Sequence, residues 1–192
     1  MYKLILASTS PFRQEVLRKL NIDFSVEPPN VNEQIQDNES ARELVQRLAE
    51  AKAKAVAHHH PKALIIGSDQ VAVLGETILG KPNSHENAVQ QLRAASGKQV
   101  TFLTGLCLYN SATGQSQICC VPFTVYFRQL SNDQIERYLQ QDQPYNCAGS
   151  FKSEGLGITL FEKLQGDDPN ALIGLPVIEL VKMLANEGVI LP

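Results

Sequence analysis

The first segment able to do chemistry is Ser8-Thr9-Ser10-Pro11-Phe12-Arg13, set between an apolar run and an expected helix start. Free backbone N–H groups and the positive end of the helix dipole favour an anion there. The hydroxyls of Ser8 and Ser10, with Arg13, add donors suited to phosphate oxygens. The glycines and lysine of a GxxxxGK(S/T) loop are absent. Taken alone, the segment also reads as a serine cap followed by a solvated arginine. A second candidate is Gly67-Ser68-Asp69-Gln70, which ends a buried strand, where open α/β sheets place ligand chemistry. Asp69 could bind a divalent cation or take a proton from water. It could equally satisfy N–H groups of its own loop. A third set is a scatter of charges. Glu33 lies in the polar loop Val31-Asn32-Glu33, and Lys81 in Gly80-Lys81-Pro82. Lys152 and Glu154 lie in Phe151-Lys152-Ser153-Glu154-Gly155. Lys52 flanks a helical apolar stripe, about 40° round from Leu48 at ~100° per residue. Each of these, by itself, also reads as a solvated surface charge. His58-His59-His60 lacks the i, i+4 spacing of a metal-binding helix and reads as a solvated run at a helix C-terminus. No histidine is set near a serine turn in the manner of a Ser-His-Asp triad.

The elements that must position these residues alternate between strand and helix. Lys3 to Ala7 reads as a short strand, and Ser10 with Pro11 opens a helix to about Leu20. A strand at Phe24 to Glu27 precedes a polar loop from Pro28 to Glu39. Ser40 and Glu43 form a capping box for a helix ending near His58, with a stripe at Leu44, Leu48, Ala51 and Ala55. Ala63 to Ser68 is a strand, continued by Val71 to Leu74, and the chain turns at Gly75-Glu76 to return through Ile78. A helix spans Ser84 to Ala95, closed by Gly97. Gln99 to Tyr109 and Gln115 to Arg128 read as two long antiparallel strands. Ser131 and Gln134 open a helix to about Gln141. Strands are expected near Asn146 to Phe151 and from Ile158 to Leu164, and a last helix from Pro176 to Gly188. The pattern predicts an α/β fold with a mixed sheet, helices on both faces, and one domain over residues 1–192 built as two lobes around a cleft.

Composition agrees with a folded protein of this class. The chain has 192 residues, 43% hydrophobic and 19% charged, with a net charge of −3. That balance argues against a stable nucleic-acid partner but not against a small phosphorylated ligand. No stretch approaches the roughly 18 apolar residues of a membrane span, and Met1 to Ala7 is too short for a signal sequence. The expectation is a cytoplasmic protein without a membrane partner. Cys107, Cys119, Cys120 and Cys147 show no CxxC spacing and read as reduced, mostly buried thiols.

Taken together, these segments resemble the Maf family of nucleoside triphosphate pyrophosphatases over essentially the whole chain. The resemblance runs through Leu4-Ile5-Leu6-Ala7-Ser8-Thr9-Ser10-Pro11-Phe12-Arg13, Glu33, Ala51-Lys52-Ala53, Ile66-Gly67-Ser68-Asp69-Gln70-Val71 and Gly80-Lys81-Pro82. It closes with Ala148-Gly149-Ser150-Phe151-Lys152-Ser153-Glu154-Gly155 and Gly174-Leu175-Pro176. Within the family the chain is similar to the bacterial branch acting on 7-methyl-GTP, with Phe12, Gln70 and Glu154 at the matching specificity positions. The family often has Asp before the loop Glu, where this chain has Asn32. The resemblance implies an elongated sheet like that of the inosine triphosphate pyrophosphatases. It also implies hydrolysis between the α- and β-phosphates, a house-cleaning of modified nucleotides.

On that reading Arg13, Lys52 and Lys81 neutralise phosphate charge, and Ser8 and Ser10 orient one phosphate. Glu33 and Asp69 hold a magnesium or manganese ion, and Asp69 is the proton acceptor. Phe12 offers an aromatic face to a base carrying positive charge at N7, and Glu154 balances that charge. Gln70 can offer both a donor and an acceptor. A homodimer is a candidate assembly by resemblance. Two rival readings remain at this stage: a pyrophosphatase for dTTP, UTP or another noncanonical nucleotide, and a nucleotide-binding cell-division regulator without turnover.

Overall fold

The computed structural model describes residues 2–192. Seven strands form one mixed sheet: β1 (Lys3–Ala7), β2 (Ser25–Glu27), β3 (Ala63–Leu74), β4 (Thr77–Leu79), β5 (Gln99–Asn110), β6 (Gln115–Phe127) and β7 (Phe161–Gln165). Their order is β2-β1-β3-β5-β6-β7, with β4 on the side of β3. β1 runs parallel to both β2 and β3, whereas β4 on β3 and β7 on β6 are antiparallel. The helices are α1 (Pro11–Arg18), α2 (Ala41–Ala57), α3 (His85–Ala95), α4 (Asn132–Asp142), α5 (Pro169–Ile173) and α6 (Val177–Asn186). Among the described residues no helix is long and apolar enough to cross a membrane.

Contacts divide the chain into two compact units. Unit 1 holds the described residues up to 70, with 104–121 and 168–192; unit 2 holds 71–103 and 122–167. In unit 1 the alternation of β1 sorts its side chains to two faces. Leu4 and Leu6 join Val16 and Leu17 of α1 and Leu180 and Leu184 of α6 on one side. Ile5 and Ala7 join Ala49, Ala53 and Val56 of α2 on the other. Unit 2 is centred on phenylalanine rings. Phe151 stands edge-on to Phe102, Phe127 and Phe161, with centroids 5.2, 5.7 and 4.7 Å away.

Local signals account for most helix boundaries. Ser10 and Ser84 cap α1 and α3 through their side chains, and full capping boxes close at Ser40–Glu43 and Ser131–Gln134. Two expectations fail after residue 145. Residues 146–151 form no strand, because Gly149 and Ser150 take left-handed backbone (φ 74° and 63°) and turn the chain into a 3-10 segment at Ala148–Ser150. A second 3-10 turn, Leu156–Leu160, delays the start of β7 to Phe161. The five-residue α5 carries no sequence expectation. The histidine run is also corrected. His59 Nδ1 and His60 Nε2 lie 3.0 and 2.6 Å from the two oxygens of Glu27 on β2, so the pair ties the end of α2 to the edge strand. The four cysteines are free thiols, as expected; Cys107 is buried and the other three are half-buried.

The loop before α2 is pinned at one end. Arg47 on α2 bonds both carboxylate oxygens of Glu39 through Nε and Nη2, at 2.5 and 2.8 Å, and Nη2 also donates to Gln34 O at 3.0 Å. The Arg47 hydrogen bonds hold the Glu39 carboxyl down to about 2, with help from the Gln36 N–H. A carboxyl whose folded pKa lies below its unfolded value stabilises the fold fully above the unfolded value and loses that contribution as pH falls toward the folded one. Urea unfolding of wild type and Glu39→Gln should therefore show a constant stability gap above about pH 5 that closes toward pH 2. A gap that does not change with pH would remove the fork from the account of this loop.

Candidate active site

The turn from β1 into α1 is built as the sequence leads one to expect. Ser10 N–H donates to Ser8 Oγ at 3.1 Å, and Arg13 N–H donates to Ser10 Oγ at 3.4 Å. Both hydroxyls thus accept from the backbone and keep their own hydrogens for an incoming acceptor. Phe12 and Arg13 occupy the first turn of α1 and are half-buried. The Arg13 Nε donates to Gly174 O at 2.8 Å. Burial lowers the pKa of this guanidinium, while the negative charges of Asp69 and Glu33 act the other way.

Helix α2 brings its lysine to the same place. Lys52 is buried at 7% exposure, and its ammonium sits between Asp69 Oδ1 at 2.6 Å and Glu33 Oε1 at 2.7 Å. An ammonium taken so far out of water requires anionic partners, and these two supply them. The helix lies against the strands because two residues lack side chains. A Cβ at Gly67 of β3 would come 2.0 Å from Ala49 O, and one at Gly105 of β5 would come 2.1 Å from Val45 O. Asn32, beside Glu33, accepts from Gln34 N–H at 3.0 Å through its side-chain oxygen, so it shapes the loop as a short turn.

The segment after β7 supplies the supports that sequence reasoning missed. Ser68 Oγ lies 2.9 Å from Gly105 O and 2.8 Å from Gly174 O. Gly174 ends α5 at φ +111°, and a Cβ there would stand 3.2 Å from Arg13 Nε. Gln70 Nε2 is committed to the same segment, 2.7 Å from Ala171 O, 3.2 Å from Leu172 O and 2.9 Å from Thr104 Oγ1. This corrects the expectation that Gln70 offers a ligand both a donor and an acceptor. Two amide hydrogens facing three acceptors leave its Oε1 as the available group. Gly174-Leu175-Pro176, a glycine shortly before a proline, is the sequence signal that marks this helix end.

Unit 2 gathers the remaining candidates. The backbone around Lys81 is clamped: Gln91 Nε2 donates to Gly80 O at 3.1 Å, Asn87 Nδ2 to Pro82 O at 2.9 Å, and Asn83 N–H to Tyr145 O at 3.0 Å. The Lys81 side chain itself is exposed. Phe151, locked among the rings, holds the start of the next loop. Lys152 N–H donates to Tyr138 Oη at 3.0 Å, and Lys152 Nζ to the Asp142 carbonyl at the end of α4. Glu154 is exposed and accepts from Ser153 Oγ at 3.1 Å. Cys147 registers all three charges. Burial first, then Glu154, raises its thiol pKa, and Lys152 and Lys81 pull it back. Thus Ser8, Ser10, Phe12, Arg13, Glu33, Lys52, Asp69 and Gln70 are elements of unit 1, and Lys81, Lys152 and Glu154 of unit 2.

The family model described as Maf-like protein matches residues 3–187. A protein of Alcanivorax borkumensis named 7-methyl-GTP pyrophosphatase is 59% identical over 189 residues, 98% of this chain and 96% of its own. Proteins of the same name from Pseudomonas fluorescens and Pseudomonas aeruginosa are 57% and 55% identical, each over the full length of both chains. Among solved structures, the Staphylococcus aureus Ham1 protein superimposes with a TM-score of 0.55 at 14% identity, covering 96% of this chain and 99% of its own. That likeness establishes a shared fold.

The Arg13–Gly174 contact makes a direct prediction. Gly174→Ala places a side chain at a backbone angle that costs on the order of 1–3 kcal/mol and presses on Arg13. Thermal unfolding should show a Tm lower by roughly 5 °C. A Tm equal to wild type would show that this position tolerates a Cβ and does not fix the arginine.

Proposed function

The chain belongs to the Maf family, and on that premise we propose that it is a nucleoside triphosphate pyrophosphatase that cleaves 7-methyl-GTP between its α- and β-phosphates. The products are 7-methyl-GMP and pyrophosphate. One observation carries the reading: a buried lysine held by two carboxylates, next to a buried-facing arginine and a serine-rich helix start. The names of the full-length relatives support the substrate.

The residues divide the work by charge. A triphosphate repels a nucleophilic water until its oxygens are neutralised. Arg13 and Lys52 are assigned to that role in unit 1 and Lys81 in unit 2. Ser8 and Ser10 donate their hydroxyl hydrogens to phosphate oxygens. Asp69 accepts the proton of the attacking water, with Lys52 fixing its carboxylate by the 2.6 Å bond. Phe12 stacks on the methylated base, whose positive charge an aromatic face attracts. Gln70 accepts through Oε1, and Glu154 balances the charge of the base.

The donor set suits magnesium or manganese. Glu33 and Asp69 are oxygen donors converging on one cation, and among the described residues no third His, Cys, Asp or Glu joins them. A hard ion that takes one or two carboxylates and fills its shell with phosphate oxygens and water fits that set. When bound, it would supply charge neutralisation and a more acidic water.

Incubation with a panel of triphosphates plus magnesium or manganese, read by chromatography, tests the whole reading. The expected outcome is 7-methyl-GMP with pyrophosphate, lost on chelation and restored by added metal. Tight binding without products would instead make the protein a nucleotide sensor. Asp69→Asn should lower turnover by roughly 10² or more while the fold is kept; near-normal turnover would falsify its role as proton acceptor. Glu154→Ala should erase most of the preference for 7-methyl-GTP over GTP, and an unchanged ratio of kcat/KM values would sink the charge-balance argument.

A further inference from the structure

A concave region lies wholly within unit 2. Gln134, Arg137, Tyr138 and Gln141 of α4, Arg128 just past β6, and Leu156, Thr159 and Leu160 of the 3-10 turn line a hollow of about 250 Å³. The α4 residues recur at intervals of three and four, so one side of the helix supplies them all. Arg128 N–H donates to Leu160 O at 3.0 Å, which fixes the turn beside the strand end.

The lining is electrically one-sided. Two arginines, both exposed, line it, and no aspartate or glutamate does. Among the described residues, neither arginine side chain forms an ion pair or hydrogen bond. Asp133, one turn ahead of Arg137, makes no bond to it, and Glu136 is engaged by His85 Nε2 at 2.8 Å. Gln134 Oε1 accepts from Ser131 N–H at 2.8 Å, which turns its remaining amide hydrogens into further donors. Two arginines without a bonded carboxylate lining one concavity favour an anion there. Guanidinium forks match phosphate oxygens in pairs. The exposed Leu156 adds an apolar wall.

We propose that Arg128 and Arg137 form a second binding site, for a small phosphate-bearing anion. Its volume lies below the ~300–1,000 Å³ of drug-sized pockets, which restricts the occupant to phosphate, pyrophosphate or a compact phosphate monoester. An occupant braces Leu156–Leu160, the turn that directly follows Lys152 and Glu154 in the chain. If the proposed reaction holds, its own product is one source of such an anion; binding does not depend on that reaction.

Amide-resolved NMR titration tests the site, with inorganic phosphate, pyrophosphate and glycerol 3-phosphate as separate probes. Saturable shifts are expected at residues 134–141 and 156–160. Arg128→Ala with Arg137→Ala should weaken them by about tenfold or more, with turnover in the absence of added anion within about twofold of wild type. Strongest binding of pyrophosphate points to a product of the proposed reaction as the source, and strongest binding of phosphate or glycerol 3-phosphate, neither of which that reaction releases, to another source. Still amides across both segments, or a double variant that titrates like wild type, overturn the proposal. Arg137→Gln, which keeps side-chain bulk, provides the same readout if the double variant does not fold. Hydrolysis of 7-methyl-GTP is followed separately, so its absence would remove the enzymatic reading and leave this site standing.

Discussion

Everything in the unit 1 site rests on how closely α2 approaches the sheet. The helix backbone touches the strands at Gly67 and Gly105, where any Cβ would overlap a carbonyl oxygen. Lys52 precedes Ala53, whose N–H would stand 2.9 Å from a Cβ at Gly67, and Asp69 lies two residues further along the same strand. The ammonium–carboxylate contact is therefore a direct reading of the helix–strand distance. Hydrophobic packing through Ala49, Ala53 and Val56 supplies the force, and the two glycines set the limit of approach. A buried ion pair is costly to assemble and costlier to break, so small changes of that distance would be felt in the site before they were felt in the fold.

The same cluster is electrically balanced. Arg13 and Lys52 bring two positive charges, and Glu33 and Asp69 bring two negative ones. A protein can hold such a set half-buried without a ligand, because each cation has an anion in reach. A polyphosphate disturbs that balance by adding negative charge, which is why an extra cation belongs to the reading. In this structure the two carboxylates answer the lysine, and on the proposed reading they would also offer oxygen donors to a metal.

Much of this was legible in the chain. Caps are local events, so Ser10, Ser40, Ser84 and Ser131 announce their helices within four residues. The candidate residues were legible only as an ordered set of motifs, since no single charge declares its partner. What stayed hidden has physical reasons. The α5 helix is a single turn, too short for a hydrophobic period, held by Pro169 at its start and Gly174 at its end. The region 146–151 looks extended by composition, yet Ser150 sits at positive φ with its hydroxyl bonded to Gln91 Oε1 at 2.6 Å. Tertiary contact overrides propensity there. Nothing in the neighbourhood of Gln70 reveals that its amide donors serve carbonyls a hundred residues away.

The Arg47–Glu39 fork has a consequence for recognition. Loop residues that are ordered only on binding charge roughly 1–2 kcal/mol each against affinity in lost backbone entropy. Here the stretch between Gln34 and Ser40 is already stitched to the helix by Arg47, by Gln36 N–H on Glu39 and by the Ser40–Glu43 box. Glu33 directly precedes this stretch, and its carboxylate meets Lys52. For the proposed ligand, part of the cost of immobilising this loop would then be met by the fold before the encounter.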